Sequence, residues 1–356
     1  MRVIVSGASG FVGAHFVERA LGAGLQVTGL HRSPREGNRV LTMLERAGCQ
    51  LKRADILDAS SLQAALHPAD CVVHFAAAFK EPGADATYFN RVNVEGTVNL
   101  LKAAHAVGAR RFVLCSTAGI YGQRFNGIVD ERATPQPWND YERSKLAAEN
   151  EVRQRAPALG MEYVILRPCA VYGPRDERLA KLFRTALKGR FPLFGKGEGR
   201  RHMVYVTDVA DAFVLACTRE SAANQEMIIA GPRAVPLREL LQMIATLAHR
   251  RQCGPQLPLR PMLIAAALTE DICKRLKIQP PIYRRRMDFY LNDIAFNCAR
   301  ARELLGWEPK VDLQQGLAIT LRDQQSALER AGAYTGIANV VVLACHCFNS
   351  LSPMVS

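Results

Sequence analysis

The sequence predicts an α/β fold, a doubly wound parallel sheet with a smaller C-terminal substrate-binding lid, on three observations. Short apolar runs recur along the first half of the chain, segments with apolar residues at helical spacing separate them, and a glycine-rich turn joins the first run to the first such segment. At 356 residues the chain is long enough for one large domain, or for two that share a core.

In order, apolar runs at residues 2–5, 25–30, 50–54, 71–76, 112–115 and 163–167 read as six parallel strands. Helical spacing covers residues 11–21, a segment around 96–107, and a helix starting near Tyr141, so the connections are right-handed crossovers. After Pro174 the alternation loosens into a basic, glycine-rich stretch at 189–201 and a strand-like run at 203–206. A strand at 227–230, a helix at 237–248, a proline-marked linker at 254–261 and an amphipathic lid helix at 262–276 follow. The expected division is a nucleotide-binding domain over 1–174, to which later strands from about 203–231 return, a region mainly of lid over 175–330, and a tail over 331–356. The tail contains VVVLACHCF, too short to span a bilayer, and reads equally as a packed terminal element, an oligomer contact or an extension. Its Cys345-His346-Cys347 triplet lacks a fourth ligand, and adjacent residues of a strand face opposite ways, so no metal site is expected.

Composition narrows the function classes. Hydrophobic residues at 49% and charged residues at 22% exclude disorder and a disulfide-stapled miniprotein. The 10 cysteines are scattered without a C-x-x-C pair, which suits a reducing cytoplasm. The opening MRVIVSGASG has no signal-peptide pattern, and no apolar run reaches membrane-spanning length. The net charge of +13 comes from dispersed residues with no nucleic-acid module, so it reads as a solvated basic surface or a match to a phosphorylated small molecule.

The first turn holds Gly7, Gly10 and Gly13 as G-x-x-G-x-x-G, with Ser9, Phe11 and Val12 between them. Bare backbone N–H groups there approach a pyrophosphate, and the helix N-terminus behind them favours negative charge, so these residues are expected to bind a dinucleotide. The second strand ends in His31 and Arg32 with no carboxylate, and Arg32, helped by His31 and Arg35, points to the extra phosphate of NADP over NAD. Asp55, with Ile56, is expected near the adenine. Tyr141 and Lys145 stand four apart, hence on one helix face, where an ammonium favours a phenolate acting as acid and base. Ser116 and Thr117, at the end of the fifth strand, offer a hydroxyl to the substrate oxygen.

Nine stretches in order, VSGASGFVG, ADILD, VVHFAA, NVEGTVNLL, CSTAGIYG, YERSK, LRPCAVYGPRD, HMVYVTDVADA and ARELLGWEP, resemble the extended short-chain dehydrogenase/reductases, a Rossmann-fold family that includes nucleotide-sugar epimerases and dehydratases. The resemblance runs from Met1 to about Thr320 and implies Thr117 as the catalytic hydroxyl, four residues before Tyr121, with Tyr141 as acid/base and Lys145 on the cofactor ribose. It places Ala76 and Ala77 under the cofactor, Asn93 in support of the site, and Pro168 and Val171 beside the nicotinamide. Sugar dehydratases of the family carry an acidic pair where this chain has Ala118-Gly119, so dehydration is not expected. The implied activity is NAD(P)-dependent hydride transfer on a nucleotide sugar, by an epimerase or ketoreductase that forms a homodimer. Arg178, Lys181, Arg200, Arg201 and residues 284–286 are placed to neutralise a diphosphate. Two alternatives stand beside it: a reductase of an apolar, sterol-like ketone, and a non-catalytic NADP-sensing scaffold.

Overall fold

A computed structural model describes residues 1–34, 37–79, 84–125, 127–251, 254–276 and 290–330, the side chains of 178, 179, 181, 187, 274–276 and 327–330 excepted. The chain runs β1 (Arg2–Ser6), α1 (Phe11–Gly22), β2 (Gln26–His31), α2 (Arg39–Arg46), β3 (Gln50–Arg53), α3 (Ala59–Ala65) and β4 (Cys71–His74). It continues through α4 (Ala86–Asn90), a π-helical turn (Arg91–Glu95), α5 (Gly96–Ala106), β5 (Arg111–Cys115), α6 (Asp140–Ala158), β6 (Glu162–Pro168) and β7 (Ala170–Tyr172). Then come α7 (Glu177–Leu187), β8 (Leu193–Phe194), β9 (Arg200–Tyr205), α8 (Val206–Thr218), β10 (Gln225–Ile229), β11 (Ala234–Pro236), α9 (Leu237–Leu247) and β12 (Gln256–Leu257). Helices α10 (Leu259–Leu276), α11 (Ala299–Leu305) and α12 (Leu313–Arg330) complete the described elements.

Seven strands form the main sheet in the order β10-β6-β5-β4-β1-β2-β3, and the pairings are parallel. Strand alternation splits the apolar side chains between two cores. Val3, Val5, Val73, Val113 and Val164 face one core, where α1 supplies Phe16 and Val17, α8 supplies Val209 and Phe213, and α11 supplies Leu305. Ile4, Val72, Phe112, Leu114 and Ile165 face the other, closed by Leu62 of α3, Leu100 and Leu101 of α5 and Val152 of α6. Both faces are therefore covered, as the continuous apolar strands require. The strand order reverses between β1 and β4, and this switch point leaves the turn after β1 and the loop after β4 side by side at the C-terminal edge.

The six expected strands are present, and the stretch expected at 227–230 is a seventh, β10, on the outer edge of β6. The run expected at 203–206 is β9, and it pairs with β7 in a separate three-stranded sheet. The reason is occupancy: β10 holds the edge of β6, so β9 is left with β7, the continuation of that strand beyond Cys169. Residues 254–261 are more regular than a linker. Strand β12 lies there beside β8, and Pro261 is the third residue of α10, where a missing N–H has no partner to lose.

The chain divides into two units. The first holds Met1–Asp176, His202–Ala234 and Ile294–Gly316; the second holds Glu177–Arg201, Val235–Asp293 and the chain from Leu317 on. In the second, Leu259, Met262, Leu263 and Ala266 of α10 pack with Phe194 and Tyr290, whose rings meet edge to face at 4.8 Å. No described helix is long and apolar enough to cross a membrane.

One charged side chain ties the first unit together. Arg111 is 1% exposed and donates to Glu162 Oε2 at 2.8 Å. It also donates to the Ala216 and Arg219 carbonyls at 2.8 and 2.7 Å, satisfying acceptors at the C-terminal end of α8. Arg111→Ala is expected to lower the unfolding free energy by about 3–5 kcal/mol in urea denaturation, because Glu162 Oε2 and the carbonyls of Ala216, Cys217 and Arg219 lose this donor. A loss below about 1 kcal/mol would contradict this account of the network.

Candidate active site

The turn after β1 has no room for a side chain at Gly7 or Gly13. Gly7 has a φ of +71°, and a Cβ there would lie 2.7 Å from the Ala76 nitrogen. A Cβ on Gly13 would lie 2.2 Å from the Gly7 carbonyl oxygen, so the turn closes on itself only with glycine at both positions. Gly10 caps α1 without any side-chain bond, and the first turn of α1 has no acidic residue. The leading N–H groups, those of Phe11, Val12 and Gly13, have no acceptor within the helix. This cradle, with half-buried Ser9 at its rim, fits a dinucleotide pyrophosphate.

At the end of β2, His31 is buried and its Nδ1 bonds the Ser33 carbonyl oxygen at 2.8 Å, while Arg32 is exposed. Arg35 lies outside the described residues. Asp55 turns its carboxylate onto its own loop, accepting from Leu57 N at 2.9 Å, and Ile56 is buried against Gly96. After β4, half-buried Ala76 and exposed Ala77 follow the turn's edge, and Ala78 brackets Asn93. Asn93 accepts from Ala78 N at 2.7 Å and donates to Ala78 O at 3.1 Å and Ser144 Oγ at 2.9 Å. Its amide is thus nearly fully used, and the π-helical turn that carries it places it there.

Helix α6 begins with a capping box. Asn139 accepts from Glu142 N at 3.0 Å, and Glu142 in return accepts from Asn139 Nδ2 at 2.9 Å and Trp138 N at 2.8 Å. Tyr141 is therefore the second residue of the helix, in its electropositive first turn. Its ring meets Phe79 edge to face at 4.8 Å and Phe89 at 6.4 Å. Thr117, two residues beyond β5, caps the short helical turn Ala118–Tyr121 and accepts from Gly119 N at 3.1 Å, leaving its own O–H to donate. A Cβ on Gly119 would lie 3.2 Å from both Thr117 Oγ1 and Glu142 Oε1, so Thr117 faces the first turn of α6. Ser116 Oγ is buried without a partner, and Pro168 and Val171 are buried at the end of β6 and in β7.

One turn below Tyr141, Lys145 is 2% exposed. Burial pulls its ammonium pKa below the ordinary 10.5, against the opposing pull of Cys115 and Glu149. Glu149 is itself fully buried, and Arg167 donates to both its oxygens, at 3.0 and 2.7 Å, and to Tyr121 Oη at 2.8 Å. His74 closes the other side. Burial first, and the charge of Lys145 second, push it down to about 3. Thr97 Oγ1 gives its only proton to Asn93 O at 2.6 Å, so it accepts from His74 Nε2 at 3.0 Å, and His74 Nδ1 accepts from Ser6 Oγ at 2.6 Å. Ser144 Oγ then donates to Tyr141 O at 2.7 Å. The buried chain Ser6–His74–Thr97–Asn93–Ser144 joins the strand before the glycine turn to the backbone of Tyr141.

The structure thus gathers Gly7, Ala76, Asn93, Thr117, Tyr141 and Lys145 around the C-terminal edge of β1, β4 and β5. Arg201 belongs to the second unit, where it donates to the carbonyls of Arg200 and Asn292, and Arg200 pairs with Asp293 at 2.7 Å. Burial lowers the Arg201 pKa to about 10. The side chains of Arg178 and Lys181, and residues 284–286, lie outside the described residues. Sequence reasoning missed His74, Glu149, Arg167 and Phe79. Glu149 had a legible signal, four residues beyond Lys145 on the same helix face, and His74 was the lone polar residue in an apolar strand.

The family model for the NAD dependent epimerase/dehydratase family matches residues 3–231. The UDP-glucose 4-epimerase of Mycolicibacterium smegmatis is 30% identical over 90% of this chain and 97% of its own. The decarboxylating sterol-4-alpha-carboxylate 3-dehydrogenase of Candida albicans is 27% identical over 90% of this chain and 96% of its own. Among solved structures, a dTDP-glucose 4,6-dehydratase from Streptomyces venezuelae with NAD bound superimposes with a TM-score of 0.75 at 27% identity, covering 93% of this chain and 98% of that one.

The neutral His74 makes stability depend on acid. Below pH 6.5 the unfolded chain binds a proton that the folded chain refuses until about pH 3, so stability falls as pH falls through this window. Urea denaturation across this range is expected to show a loss of about 5 kcal/mol from this group, and His74→Gln is expected to remove that part of the slope. An unchanged slope would show that His74 is not held neutral.

Proposed function

Because the chain belongs to the NAD-dependent epimerase/dehydratase family, we propose that it oxidises or reduces a secondary carbinol of a nucleotide sugar, as an epimerase or a ketoreductase. The observation that carries the hydride-transfer reading is the buried ammonium of Lys145 one helical turn from Tyr141, where burial works against its charge. Held on the turn of Gly7, Gly10 and Gly13, NAD(P) would supply or accept the hydride.

The chain's own groups handle the proton and the orientation. Tyr141 takes the carbinol proton or returns it, its phenolate favoured by the α6 N-terminus and by Lys145. Thr117 donates to the same oxygen, and Ser116 stands beside it. Lys145 also grips the ribose of the cofactor. Gly7, Ser9, Gly10, Phe11, Val12 and Gly13 would hold the pyrophosphate, Asp55 and Ile56 would adjoin the adenine, Ala76 and Ala77 would lie under the cofactor, and Pro168 and Val171 would line the nicotinamide. The NADP preference rests on the end of β2, where a buried His31 occupies the place of a ribose-binding carboxylate and Arg32 projects into solvent.

The sugar reading of the substrate is supported by relatives that act on nucleotide sugars, such as the UDP-glucose 4-epimerase of Mycolicibacterium smegmatis, and Arg178 and Arg201 are proposed as its phosphate ligands. A second reading, reduction of an apolar ketone, is favoured by half-buried Phe79, whose ring meets that of Tyr141 edge to face at 4.8 Å and sets an apolar surface beside the phenol. Tyr141→Phe is expected to abolish turnover while sparing cofactor affinity, and retained turnover would overturn the mechanism. Thermal shift separates the substrates: stabilisation by UDP, GDP or dTDP supports the sugar reading, and stabilisation by hydrophobic alcohols alone replaces it with the second.

A further inference from the structure

The last residues of β2 and β3 stand side by side. The two strands are parallel neighbours with His31 opposite Arg53, and β3 is the outermost strand of the sheet. Ala54 N donates to His31 O at 3.0 Å, so the pairing runs to the ends of both strands. Alternation gives those ends a common face. A Cβ on Gly29 would lie 3.2 Å from Cys49 Sγ and from Leu51 Cδ2, and His31 and Arg53 each come two residues after this contact, on the side of the core that includes Leu44 of α2. His31 is buried there, and its Nδ1 bond to the Ser33 carbonyl oxygen folds the chain over after Arg32. Arg32 and Arg53 thus flank one buried ring, with Cα atoms about 3.8 and about 4.8 Å from that of His31. Both are exposed, and neither side chain has a hydrogen-bond or ion-pair partner among the described residues. The carboxylate nearest to Arg53 in sequence, that of Asp55, is turned onto Leu57 N.

Two cations without a counter-charge at one corner repel one another, and an anion between them removes that repulsion. The glycine turn decides which anion arrives. Strand β2 is the next strand out from β1, so a dinucleotide with its pyrophosphate on Gly7, Gly10 and Gly13 would carry its adenosine toward the end of β2 and the loop of Asp55 and Ile56. We propose that Arg53 is a second ligand of the 2′-phosphate of NADP, beside Arg32, and so a determinant of the choice of NADP over NAD. This deepens the NADP reading and rests on it. A phosphate monoester carries close to two negative charges at neutral pH, and one exposed guanidinium balances only part of them. With a guanidinium from each of two adjacent strands, the phosphate would meet two forks of paired N–H donors. Lys52, one residue earlier, faces the opposite side of β3 and meets the other use of charge on an outer strand, which is to keep a further strand from pairing with it.

Calorimetric titration of the full chain with NADPH and with NADH reads this subsite without turnover, and adenosine 2′,5′-bisphosphate against 5′-AMP isolates the one added phosphate. The wild type is expected to prefer NADPH. Arg53→Gln is expected to lower NADPH affinity about tenfold, the loss of one charged hydrogen bond, and to leave NADH affinity within about twofold. The preference for the bisphosphate should fall by the same factor. Arg53→Lys keeps the charge without the fork and is expected to lie between, and R32Q/R53Q is expected to abolish the preference. The melting temperature of Arg53→Gln should not fall, because the side chain is in solvent. Equal affinity of the wild type for NADPH and NADH would overturn the NADP reading and this proposal together. A preference that Arg32→Gln reduces and Arg53→Gln leaves intact would keep the NADP reading and overturn the role of Arg53. Equal losses of NADPH and NADH affinity in Arg53→Gln would also overturn it, because the residue would then act on the adenosine or the fold and not on the phosphate.

Discussion

A single ammonium constrains the centre of the first unit. Lys145 is buried under the C-terminal edge of the sheet, and burial works against its charge. A lysine at such a depth stays protonated only if opposite charge stands near and is itself held in place. Glu149 supplies that charge one turn further along α6, and Arg167 from β6 holds Glu149 with two hydrogen bonds. The same Arg167 reaches Tyr121, four residues after Thr117, so the pair that supports Lys145 also fixes the turn carrying the hydroxyl. The geometry of α6, β6 and the end of β5 is therefore one electrostatic arrangement.

The opposite wall of the site follows from the same constraint. A histidine next to a buried ammonium cannot also be charged, and His74 stays neutral with one nitrogen donating and one accepting. That fixed tautomer lets the chain from Ser6 to Ser144 run without an unsatisfied atom, and it couples the position of the glycine turn to that of Tyr141. Such a satisfied polar network adds specificity where an apolar core would add only area.

Most of the fold was legible because strands covered on both faces announce themselves as short apolar runs, and the glycine turn marked the switch point. The placement of β9 was not legible. Whether a strand joins the main sheet depends on which edge is free, and β10, later in the chain, decided it. At the site, Gly7, Thr117, Tyr141 and Lys145 could be read from spacing and motif order. Arg167, Phe79 and His74 could not, because their roles arise from pairs 18 to 62 residues apart, such as Arg167 with Glu149 and Phe79 with Tyr141, that meet only once the sheet is assembled.

The central claim is that the charge of Lys145 is kept for a ligand, at a cost to the fold. Lys145→Met tests it directly, read by the unliganded melting temperature together with a calorimetric titration of NADPH and NADH. The account predicts a melting temperature equal to or above that of the wild type and a nucleotide affinity lower by about tenfold or more, the loss of one charged hydrogen bond. A lowered melting temperature with unchanged nucleotide affinity would show that Lys145 serves the fold and not the cofactor.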